Sequence, residues 1–246
     1  MKLNGAVALV TGASGGIGRA SCERLAAAGA QVIASGTKVD NLSGLPGTHL
    51  AADLADPEGV QRLAADALAA HGRVDLVIHC AGVGLAGAFA GAGSGRIGEL
   101  VEVNVRAPML LTALLLPPML ERRSGAVVAV ASIAGAVGVP GETAYSASKA
   151  AVRGFCEALR AEVRPSGVTV SCVLPGAVDT GFFARRGAPY DRTWPPPVPP
   201  GRVADAVVRV AERGTAEVFV PGWLTVAARL QGGVPSLYRL LAGRFG

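Results

Sequence analysis

Lysine, tyrosine and histidine each occur only three times in this 246-residue chain, and aromatic residues make up 4% of it. The net charge of +5 comes from 23 basic residues against 18 acidic ones, and the basic residues are scattered arginines with little aromatic interleaving. That pattern does not support a nucleic-acid surface, which needs clustered cations and stacking platforms. Cys22, Cys80, Cys156 and Cys172 stand far apart in apolar segments with no CxxC pair, so they read as small buried hydrophobes. His49, His71 and His79 form no ligand spacing, and no metal is expected. Also missing is any run of eighteen uninterrupted apolar residues; "PMLLTALLLPPML" is broken by prolines and flanked by charges. The N-terminal "MKLNGAVALVTG" is too short in its apolar run for a signal peptide and leads into a glycine turn, so a first strand is expected. These absences together describe a reduced, cytoplasmic protein.

What is present is an alternation. "VALVTG", "QVIASG", "VDLVIHCAG", "GAVVAVAS" and "GVTVSCVLPG" are apolar almost throughout, as parallel strands are when both faces are covered, and "EVFVPG" adds a late strand. Between them, helical patterns span 16–28, 57–71, 97–121, 145–164 and 202–213. Strand–helix alternation of this length predicts right-handed βαβ units and an α/β fold: a doubly wound parallel sheet in a three-layer, Rossmann-type single domain. Residues 1–222 form the expected catalytic domain. Within it, 181–201, with "WPPPVPP" at Trp194–Pro200, reads as a lid-like insertion. Residues 223–246 form an apolar tail with arginines at 229, 239 and 244.

Two motifs carry chemistry. "TGASGGIG", Thr11–Gly18, ends the first strand and enters a helix, where glycines let backbone N–H groups approach a pyrophosphate at the positive end of the helix dipole. Its spacing, Gly12-x-x-x-Gly16-x-Gly18, is not the standard GxGxxG. "YSASKA" places Tyr145 and Lys149 four residues apart, on one helix face. A cation beside a phenol favours the phenolate and lowers its pKa, whereas an unrelated solvated pair would do nothing.

These elements, with Asn104, Ser132, "CAGVG" from Cys80 and "PGAVDT" from Pro175, resemble in order the classical short-chain dehydrogenases/reductases over about residues 3–222. The resemblance implies a catalytic set of Asn104, Ser132, Tyr145 and Lys149. Tyr145 would be the acid/base, Lys149 would hold the nicotinamide ribose and stabilise phenolate, Ser132 would bond the substrate oxygen, and Asn104 would complete a water-linked proton relay. It implies cofactor contacts at Gly12, Ser14, Gly16, Ile17, Gly18, Ala81, Gly82, Pro175, Gly176, Val178 and Thr180, with Asp53 and Leu54 at the adenine. The family's acidic ribose-reading position falls on Gly36, followed by Thr37 and Lys38. With no carboxylate to repel a 2′-phosphate and Lys38 able to attract one, NADP(H) is favoured over NAD(H). One departure is "HCAG" where the family commonly has "NNAG"; His79 then reads as a satisfied core polar group.

Small residues Ala147, Ala151, Gly154 and Ala158 form a stripe on the Tyr145 helix, suited either to the protein's own sheet or to a close helix–helix contact. The resemblance implies a homodimer or homotetramer through that helix. The tail is expected to cover the substrate pocket, pack on a partner subunit or rest on a membrane surface, in that order, with Gly232-Gly233 interrupting any long helix. The apolar lid residues Phe182, Phe183 and Trp194 suggest a lipophilic alcohol or ketone. The sequence therefore predicts an NADP(H)-dependent oxidoreductase interconverting a secondary alcohol and a carbonyl. Its rivals are a catalytically weak regulatory or scaffold protein on the same fold, and another NADP(H) reaction such as epimerisation or dehydration.

Overall fold

A computed structural model describes residues 1–191, 194–236 and 238–240. Among the described residues, seven strands form one parallel sheet in the order β3-β2-β1-β4-β5-β6-β7. They are β1 Val7–Thr11, β2 Gln31–Gly36, β3 Thr48–Ala51, β4 Leu76–His79, β5 Gly125–Val130, β6 Val168–Pro175 and β7 Glu217–Val220. Every adjacent pair is parallel. β1 has β2 on one side and β4 on the other, so the winding reverses at its C-terminal end, which opens a crevice there.

Strand residues alternate between two cores. Val7 and Leu9 face a layer with Val60 and Leu63 of α2 (Pro57–His71), Leu111 and Met119 of α4 (Ala107–Glu121), and Val152 and Cys156 of α6 (Thr143–Val163). Ala8 and Val10 face the opposite layer, with Cys22 and Leu25 of α1 (Gly16–Ala27) and Val203, Val207 and Val210 of α8 (Pro200–Arg213). Both faces of the sheet are covered, hence the nearly unbroken apolar strands. The local signals are equally plain at α2. Asp56 caps it, accepting from the N–H groups of Glu58 and Gly59, Pro57 occupies its first turn, and Gly72 closes it at φ +73°.

The long helix expected over 97–121 is one path with an irregular middle. α3 (Ser94–Val101) passes through a π-helical turn at Glu102–Arg106 into α4. Pro117 and Pro118 do not stop α4, which runs on to Glu121. By length and composition Ser94–Glu121 could cross a membrane, but here Leu111, Leu115 and Met119 of α4 are built into the domain core.

The remaining helices are short. α5 (Ala134–Val137) lies so close to α6 that a Cβ on Gly135 would sit 2.5 Å from the Lys149 backbone carbon. In the expected lid, α7 (Phe182–Arg185) forms one turn, Val198 bridges to Val178, and residues 192 and 193 lie outside the described residues. α9 (Leu224–Gly233) starts the tail, buries Leu224, and runs through Gly232 before ending at Gly233. Trp223 stacks on Trp194 of the lid at 5.0 Å between centroids. Arg229 and Arg239 are described; Arg244 falls outside the described residues.

Candidate active site

A cavity of about 1030 Å³ opens at the C-terminal ends of the central strands. Each of the predicted cofactor-binding residues except Lys38 lies in its wall. The glycine turn shows why the sequence needs glycine there. Gly12 has φ +65°, and a Cβ on it would sit 2.6 Å from the Ala81 backbone. A Cβ on Gly18 would strike the Gly12 carbonyl, and one on Gly16 would sit 2.5 Å from Thr180 Cγ2. The helix that follows starts without a side-chain cap and with no acidic residue in its first turn. Its free N–H groups and positive dipole end therefore face the cavity unopposed, which fits a pyrophosphate. Thr37 reaches the wall, whereas Lys38 is exposed beside it, at the start of a 3₁₀ turn.

The predicted catalytic residues come from three elements. Ser132 follows β5, and Tyr145 and Lys149 lie one turn apart on α6; all three line the cavity and are at least nine-tenths buried. Ser132 Oγ accepts from Ala134 N–H at 3.1 Å and stands beside the Tyr145 phenol. Burial drives the Tyr145 pKa well above the ordinary phenol value; the Ser132 hydroxyl opposes that, Glu142 adds to it, and Arg186 opposes it. This corrects the expectation that Lys149 lowers the phenol's pKa here. Its Nζ lies 5.8 Å from the ring centroid and donates instead to the Val130 carbonyl at 3.0 Å. Burial brings the lysine itself down to about 8, with the Cys172 and Cys80 thiols pulling the other way.

Asn104 sits in the π-helical turn, buried, and outside the cavity wall. Its Oδ1 accepts from Val83 N–H at 2.8 Å, and its Nδ2 donates to the Val83 carbonyl at 2.9 Å and to Ser148 Oγ at 3.1 Å. The side chain thus ties the loop after β4 to α6. The π turn inserts an extra residue per turn, a device frequent at functional sites. His79 is buried and shares a 2.9 Å hydrogen bond with the Thr112 hydroxyl. Desolvation, and then the Lys149 charge, lower its pKa to about 3, so it is the neutral core group expected.

With this geometry in place, the comparisons decide the family. A family model described as short chain dehydrogenase matches residues 6–191. The chain belongs to the short-chain dehydrogenase family. Dehydrogenase/reductase SDR family member 7B of Rattus norvegicus is 36% identical over 195 residues, covering 73% of this chain and 60% of the relative. The 3-oxoacyl-[acyl-carrier-protein] reductase FabG of Escherichia coli is 32% identical over 186 residues, covering 73% of this chain and 76% of the relative. A short chain dehydrogenase of Pseudocercospora fijiensis is 37% identical over 77% of this chain. The chain spans 64% and 60% of the lengths of the Pseudocercospora and Rattus proteins. Among solved structures, a short-chain dehydrogenase from Streptomyces avermitilis aligns with a TM-score of 0.82 at 33% identity, covering 99% of this chain and 97% of that one. One from Sphingobium yanoikuyae, in complex with NADPH, aligns at 0.83 and 28% identity, covering 96% and 95%.

For a short-chain dehydrogenase, sequence reasoning named Phe182 and Phe183 of the far wall as apolar lid residues and missed Tyr190 and an ion pair beside them. Phe182 of α7 lies 5.5 Å from the Tyr145 ring, Phe183 lies 5.9 Å from Phe182, and Tyr190 lies 5.0 Å from Phe183. Glu142 and Arg186 form a largely buried ion pair in the same wall. The aromatic composition of the lid pointed to the first group. Nothing in the spacing pointed to the second, because 44 residues separate its members.

Proposed function

We propose that this protein is an NADP(H)-dependent oxidoreductase that interconverts a secondary alcohol and a ketone, with Tyr145 as acid/base. The observation that carries this reading is the buried phenol, beside Ser132 and Lys149, in the wall of the cavity that also holds the glycine turn. Bound nicotinamide would supply or accept the hydride. In reduction, Tyr145, which stays protonated at neutral pH, gives its proton to the carbonyl oxygen while Ser132 orients that oxygen by hydrogen bonding. Lys149 would hold the ribose hydroxyls of the bound cofactor and support the phenolate. Asn104 acts by positioning, since its amide is committed to Val83 and Ser148.

NADP(H) is preferred to NAD(H) because Gly36 and Thr37 bring no carboxylate to the ribose-reading position. The NADPH complex of the Sphingobium protein, and the NADP complex of a metagenomic oxidoreductase 32% identical to this chain, support that preference. The aromatic wall suits a lipophilic small molecule. The stripe on α6 faces outward: Ala147, Gly154 and Ala158 are exposed, and a Cβ on Gly154 would meet nothing within 4 Å. That favours a homodimer or homotetramer through α6 over packing on the protein's own sheet. The proposed setting is cytoplasmic, with no nucleic-acid partner.

Tyr145→Phe tests the reading. Turnover should fall by about 10²–10⁴-fold, the usual worth of a positioned proton donor, while NADPH still quenches or shifts in fluorescence on binding. Turnover that survives the substitution would remove Tyr145 from the chemistry. A wild-type protein that binds NADPH but reduces no ketone would favour the regulatory alternative.

A further inference from the structure

The far wall of the cavity holds a guanidinium that the chemistry above does not use. Arg186 is only 8% exposed, a rare state for arginine unless its charge is matched and employed. Nη1 donates to the Glu142 carboxylate, Nε donates to the Ala188 carbonyl at 3.0 Å, and the group lies 4.6 Å over the Phe183 ring. Nη2 makes no hydrogen bond among the described residues, and with the second Nη1 hydrogen three of the five guanidinium donors are unspent. The backbone fixes the place of this side chain. Ala86 N–H donates to the Arg186 carbonyl at 3.2 Å, and a Cβ on Gly84 would sit 2.7 Å from Arg186 Cβ. Its anionic partner, Glu142, occupies the N-cap position of α6 without a side-chain capping bond, three residues before Tyr145. The pair thus stands at the head of the proposed catalytic helix, in a wall that also carries Phe182, Phe183 and Tyr190.

A few placed polar groups in an apolar pocket fix the orientation of a ligand. We propose that Arg186 reads the substrate, donating from Nη2 to a second, neutral carbonyl oxygen, so that the site prefers ketones that carry a further carbonyl, such as keto esters, keto thioesters or diketones. This rests on the reductase reading of the site and names its substrate class. Glu142 already neutralises the guanidinium, and Arg185, the other arginine of the cavity, is outnumbered there by Glu99 and Asp191, so a free carboxylate is disfavoured and a neutral acceptor fits. In the reaction, the reacting C=O π bond breaks, hydride from NADPH forms the new C–H bond, and the Tyr145 proton forms the O–H bond. NADP⁺ leaves, and the second carbonyl is unchanged.

The test compares ethyl acetoacetate, 2-heptanone of the same chain length, and acetoacetate, with NADPH-loaded protein. Both kcat/KM and Kd, the latter from bound-NADPH fluorescence, are read for the wild type, Arg186→Met and Glu142→Gln. The keto ester is intrinsically more reactive, so the criterion is the change in the ester-to-ketone ratio. Arg186→Met should lower that ratio by about tenfold or more, the worth of one hydrogen bond to a charged group. Glu142→Gln should keep the ester preference and raise acetoacetate affinity by about tenfold, because the guanidinium is no longer neutralised. A ratio that moves less than about twofold in Arg186→Met, in both kcat/KM and Kd, overturns the proposal. If Arg186→Met does not fold, unchanged acetoacetate affinity in Glu142→Gln overturns it, and a rise supports it. Wild-type protein that binds the keto ester beside NADPH without turnover would sink the reductase reading, while the Kd ratios still decide the role of Arg186.

Discussion

Replacing Lys149 by methionine should make the cofactor-free protein more stable at neutral pH, although it removes a residue of the proposed active site. The lysine is 5% exposed, and burial lowers its pKa from 10.5 to about 8. At pH 7 it is charged in both folded and unfolded states, and the folded state carries the desolvation. A shift of about 2.5 units corresponds to about 3 kcal/mol. Losing the bond to the Val130 carbonyl takes back about 1 kcal/mol. The net expectation is a gain of about 2 kcal/mol, or about 4–8 °C in Tm for a chain of this size. The sign with pH follows from proton counting. Between pH 8 and 10.5 the unfolded chain keeps the lysine proton that the folded chain has lost, so wild-type stability rises with pH across that window. The advantage of Lys149→Met is therefore full below pH 8 and shrinks as pH climbs towards 10.5. Urea unfolding followed by circular dichroism at pH 7 and pH 9.5 would measure both values. A variant less stable than wild type at pH 7, or an advantage that does not change with pH, refutes the reasoning.

Two further outcomes follow from the geometry. Gly18→Ala drives a Cβ into the Gly12 carbonyl, a backbone atom that cannot step aside; NADPH titration should show affinity lowered at least about tenfold, and wild-type affinity would mean that the turn does not cradle the cofactor. Thr112→Val leaves His79 without its hydrogen-bond partner in the core and should cost about 1–3 kcal/mol in urea unfolding, whereas a neutral effect would mean that the ring finds another partner.

The legible parts of this protein were those where the backbone itself makes the demand. The glycine turn, the Asp56-Pro57 start and Gly72 end of α2, and the apolar strands each announce a local geometry that few residues satisfy. The Tyr145–Lys149 interval was legible as one face of a helix. What that face does was not, because the direction of each pKa depends on burial by distant elements. Spacing suggested a lysine acting on a phenol; in the folded chain, burial raises the phenol and turns the lysine to the Val130 carbonyl. Lys38 shows the same limit: adjacency to Thr37 places it by the ribose in sequence, yet the strand end turns it to solvent. Arg186 and Glu142 were invisible for a stricter reason, since only the lid's path over Gly84 brings them together.

The two buried titratable groups of the site lean in opposite directions for one cause, and this bears on the direction of the chemistry. Desolvation penalises charge whatever its sign, so it favours phenol over phenolate at Tyr145 and amine over ammonium at Lys149. At neutral pH the phenol keeps its proton, while the lysine, with its pKa about 8, is still mostly charged. A protonated phenol next to Ser132 is a proton donor ready for a carbonyl oxygen. Taking the proton of an alcohol needs the phenolate first, which burial opposes and the nearby Glu142 charge opposes further. If Tyr145 is the acid/base we propose, the rate of alcohol oxidation should therefore rise with pH while carbonyl reduction does not, and pH profiles in the two directions would check it.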